Sequence, residues 1–185
     1  MARIAVITHE FDRFLNRLGP LLRRGSPYML FDLLEELKRR GHSVQIINGT
    51  SARPEADIAV LHIDATVTPP DYVEYARGFP FCLNIGAADI SKRRISGALI
   101  GRDDGWQGLV IVKSNLNNLG TRERTLNRRS RRAGKPEPFP SVEPVESYRV
   151  HGSLADVPAA VFDRKELIVE KFIPEPEPDG FGARF

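Results

Sequence analysis

The sequence of 185 residues contains a single cysteine, Cys82. No intrachain disulfide can form, and no His/Cys spacing typical of a zinc site occurs, so disulfide-framed and zinc-stapled folds are excluded. Long apolar runs are missing too, since none approaches the about 20 residues that cross a membrane. The chain starts with a strand pattern instead of a secretion signal. We therefore expect a cytoplasmic protein with no membrane partner.

Signatures of several common enzymes are also missing. No G-x-G-x-x-G follows the first strand pattern and no G-x-x-x-x-G-K-[ST] occurs, which argues against two widespread nucleotide-binding folds. No G-x-S-x-G is present and no base can be assigned beside a serine, so a serine hydrolase is disfavoured.

Acidic residues are scarce in one segment, although the chain as a whole carries a net charge of only +3. Between residues 122 and 135, seven basic residues stand against Glu123 alone, and the remainder of the chain is slightly acidic. With the prolines that follow, this composition predicts a mobile loop over residues 121–145. A solvated loop is favoured over a nucleic-acid-binding patch, because no aromatic residues for base stacking are interleaved with the arginines. A clamp for an anionic substrate and salt-sensitive binding of nucleic acid are the functional alternatives.

The first 88 residues alternate strand and helix patterns. Strands are predicted over 3–8, 44–47, 58–61 and 81–85, and helices over 27–40 and 69–76. A strand, a helix and a strand in that order imply a right-handed crossover and a parallel pair; the direction of the third strand is left open. Parallel sheets bind ligands at the carboxyl ends of their strands, so His9 and Asn84 are candidate substrate residues.

A second informative stretch begins with an apolar strand over 109–112. This strand leads to Lys113 and then to a loop with three asparagines and Gly120. Burying a lysine at a strand end is costly unless an anion meets it, and asparagine side chains and freed backbone N–H groups can line an anion nest. The pattern indicates a phosphate site; a strand that ends in a snorkelling lysine and a surface turn is the alternative.

A later strand over 167–173 contains Glu170 and Lys171 and leads into a proline- and glutamate-rich segment. Together the two strands resemble the ATP-grasp superfamily. The resemblance implies that Lys113 and the earlier Lys92 hold the nucleotide phosphates. It also implies a phosphate-covering loop and an adenine-reading hinge. The loop residues are Asn115, Asn117, Asn118 and Gly120, the hinge residues are Glu170, Lys171, Phe172 and Ile173, and Glu177 binds the ribose hydroxyls.

The resemblance implies an α/β chain with two parts. Residues 1–88 form a small Rossmann-like parallel-sheet domain, and residues 89–185 form a partial ATP-grasp α+β subdomain that carries the loop at 121–145. The implied activity is that of a carboxylate–amine ligase, which uses ATP and Mg²⁺ to activate a carboxylate as an acyl phosphate. The magnesium ligands of the family come from strands beyond residue 185, so we expect this chain to be an inactive fragment. A nucleotide-binding module without chemistry is the alternative. An unpaired edge on the last strand predicts a homo-oligomer.

Overall fold

The computed structural model describes residues 1–12, 29–141, 143, 145 and 147–174. These residues form two compact units, one from 1–90 and 121–141 and the other from the described parts of 91–120 and 142–185. The predicted division after residue 88 lies close to the first boundary. Residues 121–141, however, belong to the first unit, whereas the sequence analysis placed them in the second.

The described residues contain seven strands and five α-helices. They are β1 (Arg3–Thr8), α1 (Met29–Arg39), β2 (Ser43–Asn48), β3 (Ile58–Leu61), α2 (Pro70–Arg77), β4 (Cys82–Leu83), α3 (Lys92–Ile95), β5 (Val110–Ser114), α4 (Thr121–Arg132), β6 (Arg149–His151), α5 (Ala160–Asp163) and β7 (Leu167–Lys171). Short 3-10 turns cover Ile85–Ala87, Asn117–Gly120 and Leu154–Asp156. No described helix has the length and apolar character needed to cross a membrane.

The first unit is built on a parallel four-stranded sheet in the order β2-β1-β3-β4. Its central strand β1 has an apolar run that is buried on both faces, as a covered parallel strand requires. Val6 packs with Leu34 of α1, while Ala5 and Ile7 share a core cluster with residues of α2 and α4. The predicted mixed α/β class with a parallel sheet is confirmed, and β3 runs parallel to β1.

The predicted mobile loop over 121–145 is wrong for residues 121–132, which form helix α4. Arginine has a high helix propensity, and one face of this helix is buried. The buried residues are Glu123, Leu126, Asn127 and Ser130, with helical spacing. The Asn127 amide then fixes the chain after the helix, because its Nδ2 donates to the Phe139 carbonyl at 2.8 Å and its Oδ1 accepts the Phe139 N–H at 3.0 Å.

The second unit contains an antiparallel sheet in the order β6-β5-β7. Val110, Val112 and Val169 belong to its core, which also includes Ile100 and Leu167. The strand predicted over 109–112 is observed as β5, which is shifted toward Ser114. The strand predicted over 167–173 is observed as β7, which ends earlier, at Lys171.

Part of the edge of the last strand, which the sequence predicted to be unpaired, forms backbone hydrogen bonds. The backbone N–H of Lys171 donates to the Ala98 carbonyl at 2.8 Å, and the Ile100 N–H donates to the Val169 carbonyl at 3.1 Å. The extended segment 98–100 therefore satisfies backbone groups on the outer side of β7. An exposed strand edge is the feature from which association was predicted, and this part of the edge is covered.

Candidate functional site

The centre of the candidate site is an ion pair between neighbouring strands of the second unit. Lys113 of β5 lies opposite Ile168 of β7, and Ile111 lies opposite Glu170. Directly opposed residues of antiparallel strands share a face of the sheet, so these four side chains lie on one face. On that face the Lys113 ammonium forms an ion pair with the Glu170 carboxylate.

The two members of this pair differ in exposure. The Glu170 side chain is 7% exposed, whereas that of Lys113 keeps 24% of its surface in solvent. A buried carboxylate is costly without a partner, and the Lys113 ammonium supplies one. An ammonium has three N–H donors, so Lys113 can hold Glu170 and still bind a second anion from the solvent side.

Lys92 lies against the loop that follows β5. Its Nζ donates to the Leu116 carbonyl at 2.8 Å, and its backbone N–H donates to the Asn115 carbonyl at 3.1 Å. Leu116 comes three positions after Lys113 in the chain. The structure thus places the predicted earlier lysine on the loop that the second lysine leads into.

Asn115 has a structural role in this loop. Its Oδ1 accepts the Arg93 N–H at 2.8 Å, and its Nδ2 donates to the Lys165 carbonyl at 3.4 Å. Its backbone N–H donates to the Glu166 carbonyl at 2.8 Å. Asn115 therefore connects its own loop to Arg93 and to residues 165–166 of the second unit. Asn117 and Asn118, by contrast, are exposed.

The end of the loop has a strained backbone. Asn118, Leu119 and Gly120 have φ angles of 43°, 56° and 71°, which places three consecutive residues in the left-handed region. This region is unfavourable for a bulky residue such as leucine, and strained conformations of this kind cluster at ligand-binding sites. Turns of this type also direct successive backbone N–H groups to one side, as in anion-binding nests.

The predicted hinge residues do not all face the same way. Successive strand residues point to opposite faces, and the Lys171 ammonium lies 5.0 Å from the centre of the Trp106 ring, away from Lys113. The Phe172 N–H donates to the Leu109 carbonyl at 2.9 Å. Ile173 is 74% exposed. The structure brings only Glu170 of this group to Lys113, and Glu177 lies outside the described residues.

His9, a predicted substrate residue, is enclosed in the first unit. It is 2% exposed, its ring stacks on that of Tyr72 at 5.3 Å, and its Nδ1 accepts the Phe11 N–H at 3.2 Å. Burial lowers the pKa of His9, an effect that the nearby carboxylates partly offset. These contacts give His9 a packing role. Asn84 is exposed after β4 at a φ of 66°, and its Nδ2 lies 3.5 Å from the Leu61 carbonyl oxygen.

A charged cluster at the carboxyl end of the parallel sheet was not predicted from the sequence. Arg122 Nε lies 2.5 Å from Asp64 Oδ2, and its Nη2 lies 3.6 Å from Asp12 Oδ1. Lys135 pairs with Glu10 beside a polar cleft of about 320 Å³. The prediction of a mobile loop over residues 121–145 hid this cluster. The buried face of α4 has only one large apolar residue, Leu126, so the hydrophobic pattern gave almost no signal for the helix that carries Arg122.

Comparisons with known protein families, curated proteins and solved structures found no match. Within residues 1–12, 29–141, 143, 145 and 147–174, no group of three or more His, Cys, Asp or Glu side chains is placed to hold a metal ion.

Proposed function

We propose that the second unit is the ATP-binding part of a ligase of the ATP-grasp type. The observation that carries the proposal is the pairing of Lys113 with Glu170 on one face of the β5–β7 sheet, beside a strained loop that also contacts Lys92. Lys113 and Glu170 are 57 positions apart in the chain. The resemblance to the ATP-grasp superfamily assigned both of them to the ATP site. Their contact supports a common role.

The phosphate half of the proposed site consists of Lys113, Lys92 and the turn from Asn118 to Gly120. A triphosphate carries roughly four negative charges, and an ammonium about 3 Å from one of them contributes several kcal/mol at an intermediate dielectric. Glu170 then positions the Lys113 ammonium, which keeps this carboxylate as one partner and takes a phosphate oxygen as another.

The adenine half of the proposed site uses the apolar part of the same face. Ile111 lies opposite Glu170 on this face and is half-buried, and a flat base binds against apolar side chains with a few polar groups at its edge. The Phe172 N–H is already engaged with Leu109, so the backbone of Ile173 is the proposed donor to the base.

The complete reaction is proposed from the resemblance. A carboxylate oxygen would take the γ-phosphoryl group of ATP and release ADP. An amine would then attack the carbonyl carbon of the acyl phosphate and release inorganic phosphate and a proton, with Lys113 stabilising phosphate charge as an electrostatic catalyst. The described residues do not fit a magnesium site, so we assign the metal no ligands in this part of the chain. We expect the chain to bind ATP without turning it over.

Calorimetric titration of ATP tests the proposal with three proteins: the wild type, Lys113→Ala and Lys135→Ala. Lys135 is a matched control because it is also a lysine paired with a glutamate, Glu10, but it belongs to the first unit. A charge-assisted contact contributes about 1.5–3 kcal/mol, so Lys113→Ala should weaken ATP binding about 10- to 150-fold. Lys135→Ala should leave the affinity unchanged.

Two results would contradict the assignment. Equal affinity of the wild type and Lys113→Ala would show that this lysine does not bind the nucleotide. A loss confined to Lys135→Ala would move the nucleotide to the polar cleft of the first unit. Thermal unfolding of each protein separates loss of binding from loss of folding.

A further inference from the structure

Helix α4 presents a face that is made only of arginine and threonine. The buried face carries Glu123, Leu126, Asn127 and Ser130. The opposite side of the helix carries Thr121, Arg124, Thr125, Arg128, Arg131 and Arg132. Arg128, Arg131 and Arg132 are exposed, and Arg124 is half-buried. We call this set of six residues the arginine face.

We propose that the arginine face binds the phosphate backbone of a nucleic acid, a function separate from the proposed ATP site. Arg124, Arg128 and Arg132 follow one another at intervals of four residues, about 6 Å along the helix axis at 1.5 Å per residue. A nucleic-acid strand carries a charge about every 3.4 Å of duplex axis, so every second phosphate recurs at about 6.8 Å, close to the spacing of the arginines.

The arginine face carries a net positive charge, because its six residues are all basic or neutral. The single acid within α4, Glu123, lies on the buried face, where its Oε1 accepts the Thr66 N–H at 2.6 Å. Arg131 of the arginine face pairs with Glu137, which lies outside the helix.

Other arginines of the helix have structural roles inside the first unit. Arg122 pairs with Asp64, and the Arg129 Nη1 donates to the Phe11 carbonyl at 2.8 Å. Their contacts fix the orientation of α4, so the arginine face is held by a packed helix. A packed helix loses less conformational entropy on binding than a mobile loop would lose.

The chemistry of the face favours nucleic acid over other polyanions. Arginine forms bidentate hydrogen bonds with phosphate. An interfacial membrane helix needs an apolar face, and the only large apolar residue of α4, Leu126, is buried in the core. An acidic peptide would have to become ordered on binding. The face has no aromatic residue to stack on bases, so the expected binding is to duplex and independent of sequence.

Fluorescence anisotropy with a labelled DNA duplex tests the proposal in the full chain. The test protein carries Arg124→Gln, Arg128→Gln and Arg132→Gln. The control carries Arg39→Gln, Arg77→Gln and Arg94→Gln, three exposed arginines on other helices, so both proteins lose the same charge. Circular dichroism verifies that both remain helical.

The salt dependence gives the decisive magnitude. Each duplex phosphate contact contributes a slope of about −0.9 to the plot of log affinity against log salt, so three lost contacts reduce the slope by about 2.7. The ratio of affinities between about 50 mM and 200 mM salt should then be about 40-fold smaller for the test protein than for the wild type. The control protein should keep the wild-type slope.

Several results would overturn the proposal. One is an equal reduction of the slope in both triple variants, and another is a clear preference for one DNA sequence. Binding of wild-type protein to anionic vesicles or to polyglutamate, but not to the duplex, would assign the face to a different partner. Absence of duplex binding at about 50 mM salt would remove the function altogether.

Discussion

Replacing Lys113 by methionine tests how the buried carboxylate of Glu170 is stabilised. Methionine keeps an unbranched apolar side chain and removes the ammonium, so the carboxylate loses the cation that the structure places beside it. Removing one partner of a buried ion pair costs about 3–5 kcal/mol. We expect a loss near the lower end, about 3 kcal/mol, because the Lys113 side chain keeps 24% of its surface in solvent.

The double variant Lys113→Met/Glu170→Gln separates the ion pair from the lysine side chain. Glutamine removes the unpaired charge, so the double variant should recover most of the free energy of unfolding that Lys113→Met loses. The difference between the sum of the two single effects and the double effect measures the coupling of the two residues.

Urea unfolding followed by tryptophan fluorescence is the appropriate assay. Trp106 is the only tryptophan of the chain and packs against the core of the second unit, so its signal reports that unit. If the double variant loses as much unfolding free energy as the two single variants together, Lys113 and Glu170 do not stabilise each other, because the effects of residues that do not interact are additive.

Two further predictions concern the backbone and pH. Asn118 is exposed and has a φ of 43°. A valine at this position should lower the free energy of unfolding by about 1–2 kcal/mol, whereas a glycine should maintain or raise it. Urea unfolding measures both variants, and equal stability of the two would argue against the strained turn. Because burial lowers the pKa of His9 below its usual 6.5, the unfolded chain binds a proton that the folded chain does not as the pH falls below about 6.5. The contribution of His9 to the free energy of unfolding should therefore be complete above that pH and decrease below it by up to about 1.4 kcal/mol per pH unit. Thermal unfolding at several pH values should show a weaker pH dependence for His9→Phe. An unchanged pH dependence in that variant would contradict the role of His9.

Much of the parallel sheet could be predicted because its strands have strong local signals. The apolar run of β1 fits only a strand covered on both faces, and the predicted and observed bounds agree. The sequence also marked Lys113 and Glu170 separately. It could not show that they touch, because the register of two strands so far apart in the chain is set by packing of the whole sheet.

Helix α4 was missed because its inward face has only one large apolar residue. Leu126 is accompanied there by Glu123, Asn127 and Ser130, so hydrophobic periodicity gives almost no signal. These polar groups can be buried because residues outside the helix form hydrogen bonds with them. Glu123 accepts the Thr66 N–H, and Asn127 forms two hydrogen bonds with the backbone of Phe139. A long-range hydrogen-bond network of this kind cannot be read from local composition.

Strand β6 was missed for a similar reason. It spans only Arg149–His151, lies at an edge of the sheet and exposes two of its three residues. A short edge strand with polar residues has neither the alternation nor the apolar run that identifies a strand. Its partner Val110 to Val112 supplies the hydrogen-bonding edge that orders it.

Nucleotide binding is tested most directly by the chemical-shift changes of backbone amides when Mg·ATP is added to the isotope-labelled chain. We predict the largest changes at Lys113, Glu170 and the turn from Asn118 to Gly120. Changes confined to the first unit, or no change at saturating nucleotide, would contradict the claim that the β5–β7 face and its loop bind ATP.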